Sequence, residues 1–122
     1  MCLYHPDAKP MRKFGIGYKS LRERPDGTYW CYHHSLHAGT VQYPLNEWIT
    51  DPNDGDATNS GSSAGYRTGF HISLDVKYLK EFCSGTIVKV RFRKVVATQT
   101  QDTSSIYGPQ VVAREIMNLG EV

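Results

Sequence analysis

The run from Thr86 to Thr98, TIVKVRFRKVVAT, constrains this chain more than any other feature. Val88, Val90 and Phe92 fall on one parity, and Lys89, Arg91 and Arg93 on the other. Successive side chains of a β-strand point to opposite faces, so a period of two marks a long strand with one face for a core and one for solvent. At 122 residues the chain has the length of one domain, 1–122, and can bury roughly two-thirds of the surface its unfolded form exposes. No metal or disulfide staple is required for stability.

The other segments can be placed around that strand. Residues 14–23 and 28–34 read as the arms of a β-hairpin about Arg24-Pro25-Asp26-Gly27, where Pro fixes φ and Asp-Gly supplies the positive φ of a tight reversal. Residues 40–49 contain β-formers but also Pro44, which leaves an edge strand or a short helix open. From Asp51 to Gly69 the composition turns to Gly, Ser, Asn and Asp, which predicts a long flexible loop. Phe70-His71-Ile72 reads as a short strand. Ser73 follows as an N-cap, with an apolar stripe of Val76, Leu79 and Cys83 closed by Gly85, an amphipathic helix of about three turns. A second polar loop spans 99–109, and 110–117 forms a final strand. The expected class is α+β: a mostly antiparallel β-sheet with one packed amphipathic helix.

Composition narrows the functional classes. Hydrophobic residues make up 39% and charged residues 21%, which excludes a solvated tail and a membrane protein. No apolar run approaches the length of a spanning helix. The balance of 14 Lys and Arg against 12 Asp and Glu argues against nucleic acid as the partner. Cys2, Cys31 and Cys83 form an odd, sparse set without a CxxC pair, and the opening MCLYHPDAKP has no signal-peptide core. A reducing, cytoplasmic setting is the expectation.

Several constellations invite chemistry. His33, His34 and His37 are dense, but the Glu of an HExxH zinc motif is missing, so surface or hydrogen-bonded histidines are the expectation and no metal is assigned. Asp51–Asp56 fails as a calcium loop, because its turn Gly and bidentate Glu are misplaced. Gly15-Ile16-Gly17 lacks the third Gly of a dinucleotide fingerprint and reads as a flexible or closely packed strand position. Cys31 near His33 or His37 lacks an orienting third group, and carboxylates are widely spread, so no catalytic residue is assigned. The basic parity of the long strand is either a solvated face or an anion site. In the second case Lys89, Arg91 and Arg93 bind phosphate oxygens, joined by Arg114 if the last strand is a neighbour. Tyr78, Phe82 or Tyr107 would supply a ring for a base.

The chain also resembles a family of small phage and mobile-element proteins. The likeness rests on Met1-Cys2-Leu3-Tyr4, Gly17-Tyr18-Lys19, Asp26-Gly27-Thr28-Tyr29, Gly69-Phe70-His71, Val88-Lys89-Val90 and Val111-Val112-Ala113-Arg114-Glu115-Ile116, collinear over nearly the whole length. Within it, the chain is similar to Thoeris anti-defence proteins, signal sponges of phage. That resemblance implies a homo-oligomer, dimer or hexamer, acting in the host bacterial cytoplasm. It would sequester a nucleotide-derived second messenger, a cyclic ADP-ribose isomer or a cyclic oligonucleotide, without cleaving it and without a cofactor. A second likeness, Tyr66-Arg67-Thr68-Gly69-Phe70-His71 followed by a helix, resembles the middle of ADP-ribosyltransferase folds. It would bring Arg67 and His71 to the ligand, and Gln110 or His71 to a nicotinamide ribose. A protein-binding inhibitor of a host defence enzyme is the further alternative, since Tyr and Arg are common interface hot spots.

Overall fold

The structure, a computed structural model, describes residues 7–31, 41–51, 69–82, 85–100 and 108–122. In chain order these form β1 (Phe14–Glu23), β2 (Tyr29–Cys31), β3 (Trp48–Thr50), β4 (Phe70–Ser73), α1 (Val76–Phe82), β5 (Thr86–Gln99) and β6 (Gln110–Glu121). The architecture is a mostly antiparallel β-sheet with one short helix. The expected long strand is β5, and it lies at the centre. Its first half pairs with β1 on one side, and β6 runs along its whole length on the other. The far edge of β6 takes β4 along its first half and β3 along its second. Finally β4 touches β1 at Tyr18↔Ser73, so β1, β5, β6 and β4 close into a ring. All these pairings are antiparallel, and β2 and β3 extend the ring as short flanking strands.

The apolar parity of β5 fills the ring. Val88, Val90 and Phe92 are buried against Leu21 of β1, Phe70 and Ile72 of β4, and Val111 and Ile116 of β6. Tyr43, just outside the strands, meets Phe70 edge-to-face with ring centroids 5.8 Å apart. Closure depends on a missing side chain. A Cβ on Gly17 would stand 2.5 Å from Cγ2 of Ile72 and 2.7 Å from the Ser73 carbonyl oxygen. Of the two readings open for the Gly15-Ile16-Gly17 run, flexible or closely packed, Gly17 takes the second.

Local chemistry explains the connections. The β1–β2 turn is closed by Gly27 N–H donating to the Arg24 carbonyl at 2.9 Å, with Gly27 at φ 85°. Asp26 Oδ1 accepts from the backbone N–H and the hydroxyl of Thr28 at 3.0 and 2.6 Å, a side-chain mimic of a further turn bond. The helix is shorter than its apolar stripe suggested. Ser73 stays in β4, paired with Gln110, and Asp75 caps α1 instead by accepting from Lys77 N–H at 3.1 Å. Leu79 carries the buried side of α1. Of residues 40–49, only the end becomes a strand, β3, while β6 continues beyond 117 to Glu121. Residues 52–68, which hold most of the expected long loop, lie outside the described residues, as do 101–107. The flanks of the first segment are described: Asp51 Oδ2 accepts from Gly69 N–H at 2.5 Å, and Asp51 N–H donates to the Arg114 carbonyl at 2.9 Å. Among the described residues no helix is long and apolar enough to cross a membrane.

Two glycine substitutions separate crowding from backbone preference. Gly17→Ala should cost about 2–3 kcal/mol, because its methyl group meets a backbone carbonyl that can move only with β4. Gly27→Ala has open space around its Cβ and only the positive φ against it, for about 1 kcal/mol. Urea denaturation of both variants checks the order, and equal losses would contradict the closure at Gly17.

Candidate functional site

The outward parity of β5 carries Lys89, Arg91 and Arg93, and the strand register decides their neighbours. One row across the sheet reads Phe14, Arg93, Glu115, Thr50, on β1, β5, β6 and β3. The next reads Ile16, Arg91, Met117, Trp48 on the same four strands. Lys89 follows beside Tyr18. The expected cationic stripe therefore sits within a broad, mixed face.

Two contacts hold Arg93 in place. Its guanidinium carbon stands 3.9 Å from the centroid of the Trp48 ring, and that of Arg91 stands 5.7 Å from the same centroid. A cation over an indole face is worth about 0.5–1 kcal/mol at an exposed site. Arg93 Nε also donates to Glu115 Oε1, and Lys94 Nζ donates to Glu115 Oε2 at 2.7 Å. The Glu115 side chain is only 8% exposed, whereas those of Arg93 and Lys94 are 46% and 63% exposed. A carboxylate this buried needs charged partners, because an unpaired one would lose its hydration without return. The geometry that supplies two of them from adjacent positions is unusual. Lys94 adopts φ 57°, a left-handed conformation rare for a residue with a Cβ, and it breaks the alternation so that Arg93 and Lys94 both reach one carboxylate. Hydrogen bonds from Lys94 and then Arg93 hold the Glu115 carboxyl below its ordinary value of 4.5.

The remaining candidates are distributed differently. Arg114 does lie on the strand next to β5, but it precedes Glu115, falls in neither row and is half-buried. His71 is on β4 between the inward Phe70 and Ile72, half-buried, with its carbonyl accepting from Lys19 Nζ at 3.0 Å. Tyr78, half-buried on α1, packs against Gly108, whose absent Cβ would stand 2.6 Å from the ring, and Lys77 Nζ stands 5.2 Å from its centroid. Phe82 ends α1, and its side chain lies outside the described residues, as do Arg67, Tyr107 and the histidines at 33, 34 and 37. Among the described residues no group of three or more His, Cys, Asp or Glu side chains is placed to hold a metal ion. Sequence reasoning missed Trp48 and the bridging role of Glu115. Trp48 stands in a segment with no clean period, and the Glu115 contacts depend on a register that one strand alone does not reveal.

No protein-family model matches the chain, and no curated protein or solved structure matches it either.

The Glu115 cluster makes a pH prediction. Its carboxyl titrates lower when folded than its ordinary value of 4.5, so its stabilising contribution is complete above that value and disappears as pH falls through the lowered one. Glu115→Gln should therefore be less stable than the parent chain at neutral pH, with the gap closing below pH 4.5. Melting temperatures of both proteins across acid pH test this. A gap that stays constant into strong acid would contradict the ion pairing.

Proposed function

We propose that this protein binds a nucleotide-derived anion and sequesters it without cleaving it. The ligand class is the one its resemblance to Thoeris anti-defence proteins implies, a cyclic ADP-ribose isomer or a cyclic oligonucleotide. The observation that carries this reading is the pair Arg91 and Arg93, on one solvent-facing parity of β5 with Arg93 already oriented by Trp48 and Glu115. A guanidinium fixed before its ligand arrives loses less side-chain freedom on binding. Alternate residues on a strand are about 6.8 Å apart, a separation that lets one ligand with two phosphate groups engage both forks. Lys89 extends the stripe by one more position, and Arg91 and Lys89 have no carboxylate partner among the described residues.

The same site supports capture over turnover. Glu115 is the one carboxylate in the two rows, and it is committed to two cations, so it is poorly suited to proton transfer. His71 and Gln110, the residues an ADP-ribosyltransferase-like reaction would use, fall outside both rows, on β4 and at the start of β6.

A melting panel with cyclic ADP-ribose isomers, cyclic di- and trinucleotides, NAD and ADP-ribose tests the proposal. A ligand at a hundred times its dissociation constant adds about 2.7 kcal/mol of stability. One of the cyclic compounds should raise the melting temperature and be recovered intact after denaturation. Arg91→Ala should abolish that shift while leaving the unliganded melting temperature near the parent value, since Arg91 holds no buried partner. A flat panel, or release of nicotinamide from NAD, would overturn the reading.

A further inference from the structure

Phosphate recognition gives no role to the apolar half of the same face. Phe14 is 74% exposed and Ile16 is 50% exposed, at consecutive outward positions of β1. Register sets them beside Arg93 and Arg91, and the half-buried Met117 and Trp48 continue the Ile16 row on the far side of Arg91. Leaving large apolar groups in water on a regular strand is costly unless something covers them. We propose that this face of β1, β5, β6 and β3 docks a protein partner through a segment that carries acidic side chains among apolar ones.

Charge and side-chain type choose that occupant over the alternatives. Arg93 and Lys94 contact one carboxylate, Glu115, while Lys89 and Arg91 add two further cations on the same strand, so the patch keeps a clear positive excess. A second copy of the chain docked by a two-fold axis would bring these cations against themselves, which like-charge repulsion opposes. A single-stranded nucleic acid would use several stacking rings, yet Ile16 and Met117 offer none in their row and the Trp48 ring is already occupied by Arg93. Aliphatic and aromatic groups interleaved with guanidinium groups are instead the composition of a protein hot spot, where acidic residues meet the cations and apolar ones meet Phe14 and Ile16.

The test pans the full chain against a displayed library of random linear peptides and measures the enriched peptides by fluorescence anisotropy. Enriched sequences should combine Asp or Glu with large apolar residues. Ile16→Ser and Arg91→Glu should each weaken their binding at least about tenfold, with melting temperatures near that of the parent chain. No enriched sequence, or binding that ignores both substitutions, would overturn the proposal. So would a dimer in sedimentation that Ile16→Ser dissolves, which assigns the face to a second copy. Binding of a labelled oligothymidylate that Phe14→Ser abolishes would overturn it in favour of nucleic acid. The nucleotide reading stands or falls separately, because Ile16→Ser should keep any ligand-induced thermal shift that Arg91→Ala removes.

Discussion

The ring of strands closes where Gly17 of β1 passes beneath Ile72 and the Ser73 carbonyl of β4, with no room for even one carbon more. That single approach joins two strands that otherwise meet the sheet on opposite sides. It encloses the apolar parity of β5 and turns the basic parity outward. A larger residue at 17 would hold β4 away from β1 and open the core occupied by Val90 and Phe92. The position of the cationic face is thus a consequence of packing on the other side of the same strands. Tertiary close packing, felt at the scale of one methyl group, sets it.

Electrostatics on that face follow from burial rather than from the number of charges. Surface ion pairs contribute little, since each partner gives up side-chain freedom for a screened attraction. Glu115 differs because β3, β5 and β6 exclude water from its carboxyl, and the cations around it answer a desolvation cost. Arg93 also serves two neighbours at once, a ring and a carboxylate, which leaves its planar group few orientations. Arg91, one alternate position away, has the ring of Trp48 at greater distance and no such anchor. The two guanidinium groups are thus alike in sequence and unlike in how they are held.

What the sequence made legible is what a single strand or turn can encode. The alternation of Val88, Val90 and Phe92 with Lys89, Arg91 and Arg93 named both the strand and its inner face. The Pro25-Asp26-Gly27 run placed the hairpin, and Phe70-His71-Ile72 placed β4. Periodicity tells which face a residue takes but not which strand lies beside it. The meeting of Trp48 with Arg93, brought together from β3 and β5 across β6, was therefore not readable. The left-handed turn at Lys94 was equally hidden, because lysine carries none of the glycine or asparagine signal that marks such a conformation. The helix was overextended for a related reason: Ser73 is a good cap by type, but pairing with Gln110 claims it for the sheet first.

Asp51 has a consequence for how this chain can vary. It receives Gly69 N–H on its carboxylate and donates its own N–H to β6, so the two flanks of 52–68 meet at one buried residue of the framework. Removing one partner of a buried hydrogen bond leaves the other unsatisfied, at a cost of about 1–3 kcal/mol. Position 51 is accordingly restricted to a side chain that can accept from Gly69 while its backbone is held by β6. Asp51 and Gly69 together make a clasp that fastens the end of β3 and the start of β4 to one place on the framework.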